Sequence, residues 1–177
     1  MRRKTLSVKI GNVSVGSDHS IKTQSMTTAS TMDTVQSVEE AIRIIKAGGK
    51  LVRFTAPSIK EAKNLFNIKQ SLLKKGYSTP LVADIHFTPN AAFEASTIVE
   101  KVRINPGNYV DKKKFEIKEY DDKSYQDEVK KIEEKFVPLI QSCKKNNVAM
   151  RIGTNHGSLS DRIMNRFGDT PLGMVES

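Results

Sequence analysis

The stretch PLVADIHF, residues 80–87, decides the fold, because an apolar run ends there in two polar residues, Asp84 and His86, spaced two apart. Residues i and i+2 of a strand point to the same face of a sheet. A segment that can form a helix follows. This is the pattern of a strand–helix unit that presents functional side chains at the carboxyl end of its strand.

The same arrangement recurs where four other apolar runs end. Their polar or partly polar pairs are Gln24 and Met26, Arg53 and Thr55, Arg103 and Asn105, and Arg151 and Asn155 with Gly153 between them. Three arginines that converge on one side of a sheet indicate a phosphorylated or carboxylated ligand, because guanidinium binds such groups bidentately.

Five strand–helix units can be read in order, after a small hairpin at residues 7–16 that turns near Gly11 and Asn12. The predicted strands cover residues 21–26, 51–56, 80–87, 101–106 and 149–155. Alternating strands and helices imply parallel pairing with right-handed crossovers. A closed eight-unit barrel takes about 250 residues, so this α/β chain is predicted to be part of a (β/α)8 TIM barrel. An open five-stranded sheet is the alternative, and the hairpin is either a plug across the barrel bottom or an extension.

Helix signals fall between the strands. Asp33 is a predicted N-cap, and Ser58 with Glu61 has the spacing of a capping box. A helix is predicted over residues 127–147, with Pro138 expected to kink or break it. The charged segment 107–126 is predicted to be a solvated loop with a short strand at residues 115–117.

The chain carries 29 Lys and Arg against 20 Asp and Glu, a formal net charge of +9. Nucleic-acid binding and a small anionic ligand are the two interpretations of this excess. Aromatic residues make up 6% of the chain and Trp is absent, so surfaces for base stacking are poorly supplied. The composition favours the small anion, and we expect no nucleic-acid partner.

No apolar run approaches the roughly 20 residues of a membrane span, and the N-terminus lacks the apolar core of a secretory signal. We therefore expect a cytoplasmic protein with no membrane partner. Cys143 is the lone cysteine and lies at helical spacing with apolar residues. It is expected to be a buried structural residue.

Each candidate residue also has a structural interpretation. Asp84 and His86 could transfer protons, or could form a hydrogen-bonded pair that holds a loop. The turn after Arg103 could bind an anion through backbone N–H groups, or could simply reverse the chain. The polar end of the first strand, residues 24–28, could line a site or form a capped loop. A P-loop, a dinucleotide-binding fingerprint and metal-ligand spacing of histidines are absent from the sequence.

Six segments together resemble the barrel domain of the 4-hydroxy-3-methylbut-2-enyl diphosphate synthases, the iron–sulfur enzymes of the methylerythritol phosphate pathway. They are VKIGNVSVG, TQSMTT, AGGKLVRFT, LVADIHF, KVRINPGN and MRIGTNHGSLSDRI, which occur here in the family's order. The charged segment after RINPGN resembles the long form of the family. The resemblance implies that residues 1–177 are the N-terminal part of a TIM-barrel substrate-binding domain.

The resemblance also implies an activity. The family opens the ring of 2-C-methyl-D-erythritol 2,4-cyclodiphosphate and dehydrates it, using electrons that a [4Fe-4S] cluster receives from ferredoxin or flavodoxin. Three Cys and one Glu of a separate C-terminal domain hold the cluster, and the enzyme is a homodimer. Those cysteines are absent from this chain, so the resemblance implies an active parent enzyme and an inactive fragment.

By resemblance, the substrate-binding and catalytic positions can be carried over residue by residue. The diphosphate-binding arginines are matched by Arg53, Arg103 and Arg151, assisted by Asn105 and Asn155. Asp84 and His86, which we predict to be catalytic, match polar residues at the cavity floor, and Gln24, Met26 and Thr27 match the first strand's contribution. Three rivals stay open: a pterin-synthase-type barrel that needs no cluster, a basic nucleic-acid-binding module, and a fragment that does not fold alone.

Overall fold

The strands form two sheets in a computed structural model that describes residues 3–110 and 119–177. The hairpin strands β1 and β2 pair antiparallel, and five parallel strands, β3 to β7, lie side by side in chain order. Their bounds are Val8–Ile10 (β1), Val13–Val15 (β2), Gln24–Met26 (β3), Leu51–Thr55 (β4), Leu81–Ile85 (β5), Lys101–Ile104 (β6) and Ala149–Ile152 (β7). The prediction of a partial βα barrel is confirmed.

Helices separate the parallel strands along the chain. They span Thr34–Lys46 (α1), Ile59–Lys74 (α2), Pro89–Ala95 (α3), Pro106–Tyr109 (α4), Asp122–Asn146 (α5), Asp161–Phe167 (α6) and Pro171–Glu176 (α7). A single 3-10 turn, His156–Ser158, lies between β7 and α6. The predicted caps are confirmed, since Asp33 accepts a hydrogen bond from the N–H of Gln36 and Ser58 forms a capping box with Glu61.

The five-stranded sheet has one apolar face and one largely polar face. Alternate residues such as Phe54, Ile85 and Ile104 are fully or almost fully buried against α1, α2, α3 and α5, and they form the main core. Because side chains alternate across a strand, the intervening residues point to the other face, which is the interior of the barrel. The cationic and acidic side chains of β4 to β7 lie on that interior face.

The hairpin covers the amino-terminal ends of the strands. Ile10 is fully buried and packs with Leu51, Val82 and Ala149, which stand at or next to the starts of β4, β5 and β7. Val13 and Val15 of β2 pack against the same cluster. The hairpin is therefore a floor across the bottom of the half-barrel, as one of the two interpretations of the sequence predicted.

Two predictions about residues 107–147 were wrong. The segment predicted as a loop contains α4 and the first turns of α5, because Asp121 caps α5 by accepting a hydrogen bond from the N–H of Ser124. Helix α5 also continues through Pro138, so the proline does not break it, which was one of the two predicted effects. Beyond Pro138, Leu139 and Cys143 are buried in the core, as predicted for the cysteine. The strand predicted at residues 115–117 lies outside the described residues.

Candidate anion-binding site

A single carboxylate organises the interior face. Asp84 of β5 is 1% exposed, and its two oxygens bind arginines from the strands on either side. Nη2 of Arg53, from β4, donates to Oδ2, and Nη1 of Arg103, from β6, donates to Oδ1 at 3.1 Å. Nε2 of His86 lies 3.3 Å from Oδ2. Asp84 therefore fixes two guanidinium groups and one imidazole around itself.

Register explains why these residues meet. Thr55, Asp84, Arg103 and Arg151 are direct neighbours across β4 to β7 and form one layer of the interior. Arg53 stands one layer lower, beside Val82, and its long side chain reaches Asp84. The spacing of polar residues in the sequence predicted this convergence, and the structure brings Arg53, Asp84, His86 and Arg103 together.

Gly153 gives Arg103 the room it occupies. The guanidinium of Arg103 is almost completely buried, and its Nη2 donates to the carbonyl oxygen of Gly153 at 2.7 Å. A Cβ on Gly153 would fall 2.0 Å from Nε of Arg103, closer than any non-bonded contact allows. Only a residue without a Cβ leaves room for the guanidinium of Arg103 beside the bend after β7.

Lys101 is a further cation that the sequence argument missed. It belongs to the layer of Met26, Arg53, Val82 and Ala149. Burial lowers the pKa of Lys101, and the charges of Arg151 and Arg53 lower it further. Lys101 lies two residues before Arg103, so the spacing that singled out the arginines could have found it.

The charges of this site do not balance. Arg53 and Arg103 bind the carboxylate of Asp84. Lys101 and Arg151 add two further cations to the same interior face, and in the described ranges neither has a hydrogen-bond or ion-pair partner. Nε of Arg53 is also buried without a hydrogen-bond partner, which is costly unless a ligand or water supplies an acceptor. A site with surplus positive charge and a free donor is suited to a multiply charged anion.

The two asparagines predicted to assist the arginines differ in their surroundings. Asn105 is buried, and its Nδ2 donates to Oγ of Ser158 at 2.7 Å while its Oδ1 accepts from the N–H of Gly107 at 3.2 Å. It therefore ties the turn after β6 to the loop after β7. Asn155 is exposed at the start of the 3-10 turn and its side chain makes no capping bond.

The three predicted residues of the first strand lie at different depths. Gln24 pairs with Leu51 near the hairpin, two layers below Asp84, whereas Met26 shares the layer of Arg53 and is 39% exposed. Thr27 is buried, and both its N–H and its hydroxyl donate to the carbonyl oxygen of Arg53, at 3.0 and 3.4 Å. Thr27 thus positions the backbone of Arg53, whereas Gln24 lies one layer below Arg53.

The described residues do not supply a set of metal ligands. Within residues 3–110 and 119–177, no group of three or more His, Cys, Asp or Glu side chains could hold a metal ion. The chain's single cysteine, Cys143, is buried in the core, and burial raises the pKa of its thiol. These residues do not fit an iron–sulfur cluster. No helix of the described chain is long and apolar enough to cross a membrane.

Together, the fold and the site define a βα-barrel domain with a cluster of cationic side chains on the interior face of its parallel sheet. Over residues 5–177 the chain matches the GcpE TIM-barrel domain, and it belongs to that family. The resemblance derived from the sequence is thereby confirmed.

Curated relatives align along nearly the whole chain. It is 58% identical to a 4-hydroxy-3-methylbut-2-en-1-yl diphosphate synthase (flavodoxin) of Protochlamydia amoebophila, with 99% of this chain and 27% of the relative covered. Enzymes of the same name from Leptospira interrogans and Bacteroides thetaiotaomicron are each 56% identical, with 99% of this chain covered and 26% and 29% of the relatives. The chain thus spans little more than a quarter of the length of these relatives.

Proposed function

We propose that this chain is the substrate-binding part of a 4-hydroxy-3-methylbut-2-enyl diphosphate synthase, and that its cationic pocket binds the cyclic diphosphate of methylerythritol. The observation that carries the proposal is the cluster of four cations on the interior face, two of which bind its buried carboxylate. The relatives that align with 99% of this chain are named diphosphate synthases, and these names support the choice of ligand.

The arginines are proposed to bind the diphosphate. Arg53 and Arg103 are held by Asp84 before any ligand arrives, so little conformational entropy is lost when phosphate oxygens meet them. Arg151, which is exposed and unpaired within the part of the chain that the structure describes, adds a third guanidinium from β7. A ligand that is bound through its anionic end keeps its carbon skeleton in one position. The binding energy of the phosphate groups thereby favours a reaction at the carbon skeleton.

Asp84 and His86 are proposed to have different roles. Asp84 is buried and its oxygens are occupied by arginines, so it acts as a positioning residue. The side chain of His86 is 35% exposed beside it, which leaves the imidazole able to reach a ligand. The whole conversion takes up two electrons and two protons, breaks a carbon–oxygen bond to phosphate and releases a hydroxyl group as water. His86 is proposed to supply a proton to a departing oxygen.

Electron delivery is assigned outside the described residues, which do not fit a cluster. We propose that the whole enzyme carries a [4Fe-4S] cluster on a further domain, works as a cytoplasmic homodimer and receives electrons from flavodoxin, the donor printed in the names of the relatives, or from ferredoxin. Only ligand binding is proposed for this chain by itself.

Calorimetric titration of the chain with methylerythritol cyclodiphosphate tests the proposal, with pyrophosphate and a short DNA duplex as comparison ligands. We expect saturable binding of the cyclodiphosphate and no saturable binding of DNA. Arg151→Met should weaken the binding, whereas Arg43→Met, which removes the same charge from an exposed position on α1, should not. Equal affinities of the two variants, or tighter binding of DNA, would contradict the proposal.

A further inference from the structure

We propose that Lys101 is a direct phosphate-binding residue of this pocket, forming with Arg151 the pair of cations that neutralises the ligand. The inference rests on the proposed function and adds to it a residue that stands outside the set of polar strand ends. It separates the cations into two that share the carboxylate of Asp84 and two that have no acceptor in the described ranges.

The position of Lys101 comes from the strand register. In the interior layer, Lys101 lies between Val82 of β5 and Ala149 of β7, and both of these residues pack on the hairpin residue Ile10. The backbone of Lys101 therefore stands at the level of the apolar floor. A lysine in such a place lays its methylene stem on apolar surface and directs its ammonium away from it. Away from the hairpin is towards the layer of Asp84 and Arg103, where the anion would sit.

Within residues 3–110 and 119–177, the ammonium of Lys101 has no acceptor. Asp84 lies one layer above Lys101, and its oxygens already bind Arg53 and Arg103. In the described ranges, Lys101 makes no hydrogen bond or ion pair. Its electrostatic neighbours are Arg151 and Arg53, which are cations. A half-buried lysine among like charges is costly to the fold, and an anion bound between these cations would offset that cost.

Asp84 binds two of the four cations and leaves the other two without an ion pair in the described ranges. The arginines of β4 and β6 share its two oxygens. Lys101 on β6 and Arg151 on β7 are left over, and they occupy successive layers on adjacent strands, because Lys101 pairs with Ala149 and Arg103 pairs with Arg151. This places one unpaired cation at floor level and one above it on the neighbouring strand. Two phosphate groups joined through a shared oxygen present charges at two such levels, and a single phosphate does not.

The test compares three variants of the full chain by calorimetry, with methylerythritol cyclodiphosphate and with pyrophosphate. They are Lys101→Met, which keeps the length of the side chain and removes its charge, Lys101→Arg, which keeps the charge, and Lys63→Met, which removes a charge from an exposed position on α2. The Kd of Lys101→Met should rise about ten- to a hundredfold, the effect of one charge-assisted hydrogen bond. Lys101→Arg should recover most of that loss, and Lys63→Met should bind like the unaltered chain.

Two further readouts separate binding from structure. The melting temperature of Lys101→Met without ligand should not fall, because the substitution removes a repulsive charge. The affinity for inorganic phosphate should fall less than that for pyrophosphate. If the unaltered chain binds the cyclodiphosphate and Arg151→Met weakens binding while Lys101→Met does not, the inference about Lys101 is wrong and the proposed function stands. If the unaltered chain binds neither diphosphate, both are overturned.

Discussion

Gly153 and Arg103 are in direct contact, because the carbonyl oxygen of Gly153 accepts a hydrogen bond from Nη2 of Arg103 at 2.7 Å. The guanidinium of Arg103 also occupies the place that a Cβ on Gly153 would take. The contact joins the bend after β7 to the side chain of β6. The conformation of Arg103 is therefore set from two sides, first by the backbone of Gly153 and second by the carboxylate of Asp84. Substitutions at either place should disturb the same arginine.

Gly153→Ala tests the first side. The added methyl group would lie 2.0 Å from Nε of Arg103, so the guanidinium must leave its place, and we expect the affinity for the cyclodiphosphate to fall about tenfold or more, as for a lost charge-assisted hydrogen bond. Gly157→Ala is the matched control, because a Cβ at Gly157 meets no atom within 4 Å. Calorimetric titration of both variants measures the effect, and equal affinities would argue against a positioning role for Gly153.

Asp84→Asn tests the second side. The substitution keeps the shape of the side chain but leaves Arg53 and Arg103 without their counter-charge, and breaking a buried ion pair costs about 3 kcal/mol. Urea denaturation should show a free energy of unfolding lower by that amount. The control is Asp127→Asn, on an exposed position of α5, which should change little. A variant of Asp84 as stable as the unaltered chain would mean that the arginines do not depend on the carboxylate.

Lys101 should make stability depend on pH in the alkaline range. Burial and the charges of Arg151 and Arg53 hold the pKa of Lys101 below its ordinary 10.5. Below that lowered pKa the charged lysine destabilises the fold by the full penalty. The penalty shrinks as the pH rises from the lowered pKa towards 10.5, because the unfolded chain then binds more protons than the folded chain. Lys101→Met should therefore melt at a higher temperature than the unaltered chain at pH 7. Melting curves from pH 7 to 10.5 should show this gap closing, and a constant gap would contradict the assignment.

Glu40 should matter in the acid range. Its carboxylate accepts from the N–H of Ala29 at 3.0 Å and from the N–H and hydroxyl of Thr28 at 2.7 and 2.8 Å. These bonds, that from Ala29 foremost, lower the pKa of Glu40 from 4.5. The stabilisation is complete above pH 4.5 and is lost as the pH falls through the lowered pKa.

Glu40→Gln should therefore lower the free energy of unfolding by about 1 kcal/mol at pH 7. The difference from the unaltered chain should shrink as the pH falls below 4.5. Glu39→Gln, on an exposed neighbouring position of the same helix, is the control and should have little effect at either pH. Urea denaturation at a series of pH values measures both variants. A loss of stability that stays the same at acid pH would mean that the carboxylate charge is not the cause.

The sequence was sufficient for those parts of the site that depend on strand periodicity. Asp84, Arg103 and Arg151 could be placed on one face because alternation in a strand is strict. Arg53 belongs to the next layer down and joins them only through the length of its side chain, which periodicity does not encode. Lys101 is the first residue of β6, so a pattern of polar residues at the carboxyl ends of strands does not include it. The apolar floor at its level is formed by a hairpin that is distant in sequence.

Helix α5 begins earlier than predicted and is not broken at Pro138, because packing and a cap outweigh the lost backbone hydrogen bond. Pro138 removes a backbone hydrogen bond within a helix, but Leu139 and Cys143 bury their side chains on the following turns, and this packing holds the helix through the proline. Its early start depends on the cap at Asp121, which accepts from Ser124. An Asp three residues before a Ser inside a charged segment is a weak signal beside the many lysines around it.

The floor beneath the pocket also has a consequence for how the chain folds during synthesis. Ile10 is buried by residues that include Leu51, Val82 and Ala149, so its burial is complete only when partners up to 139 positions later have been made, a separation that follows from the residue numbers. At the usual pace of translation this takes on the order of ten seconds. Throughout that interval the apolar side chain of Ile10 lacks part of its cover, and it is shielded completely only after β7 has joined the sheet.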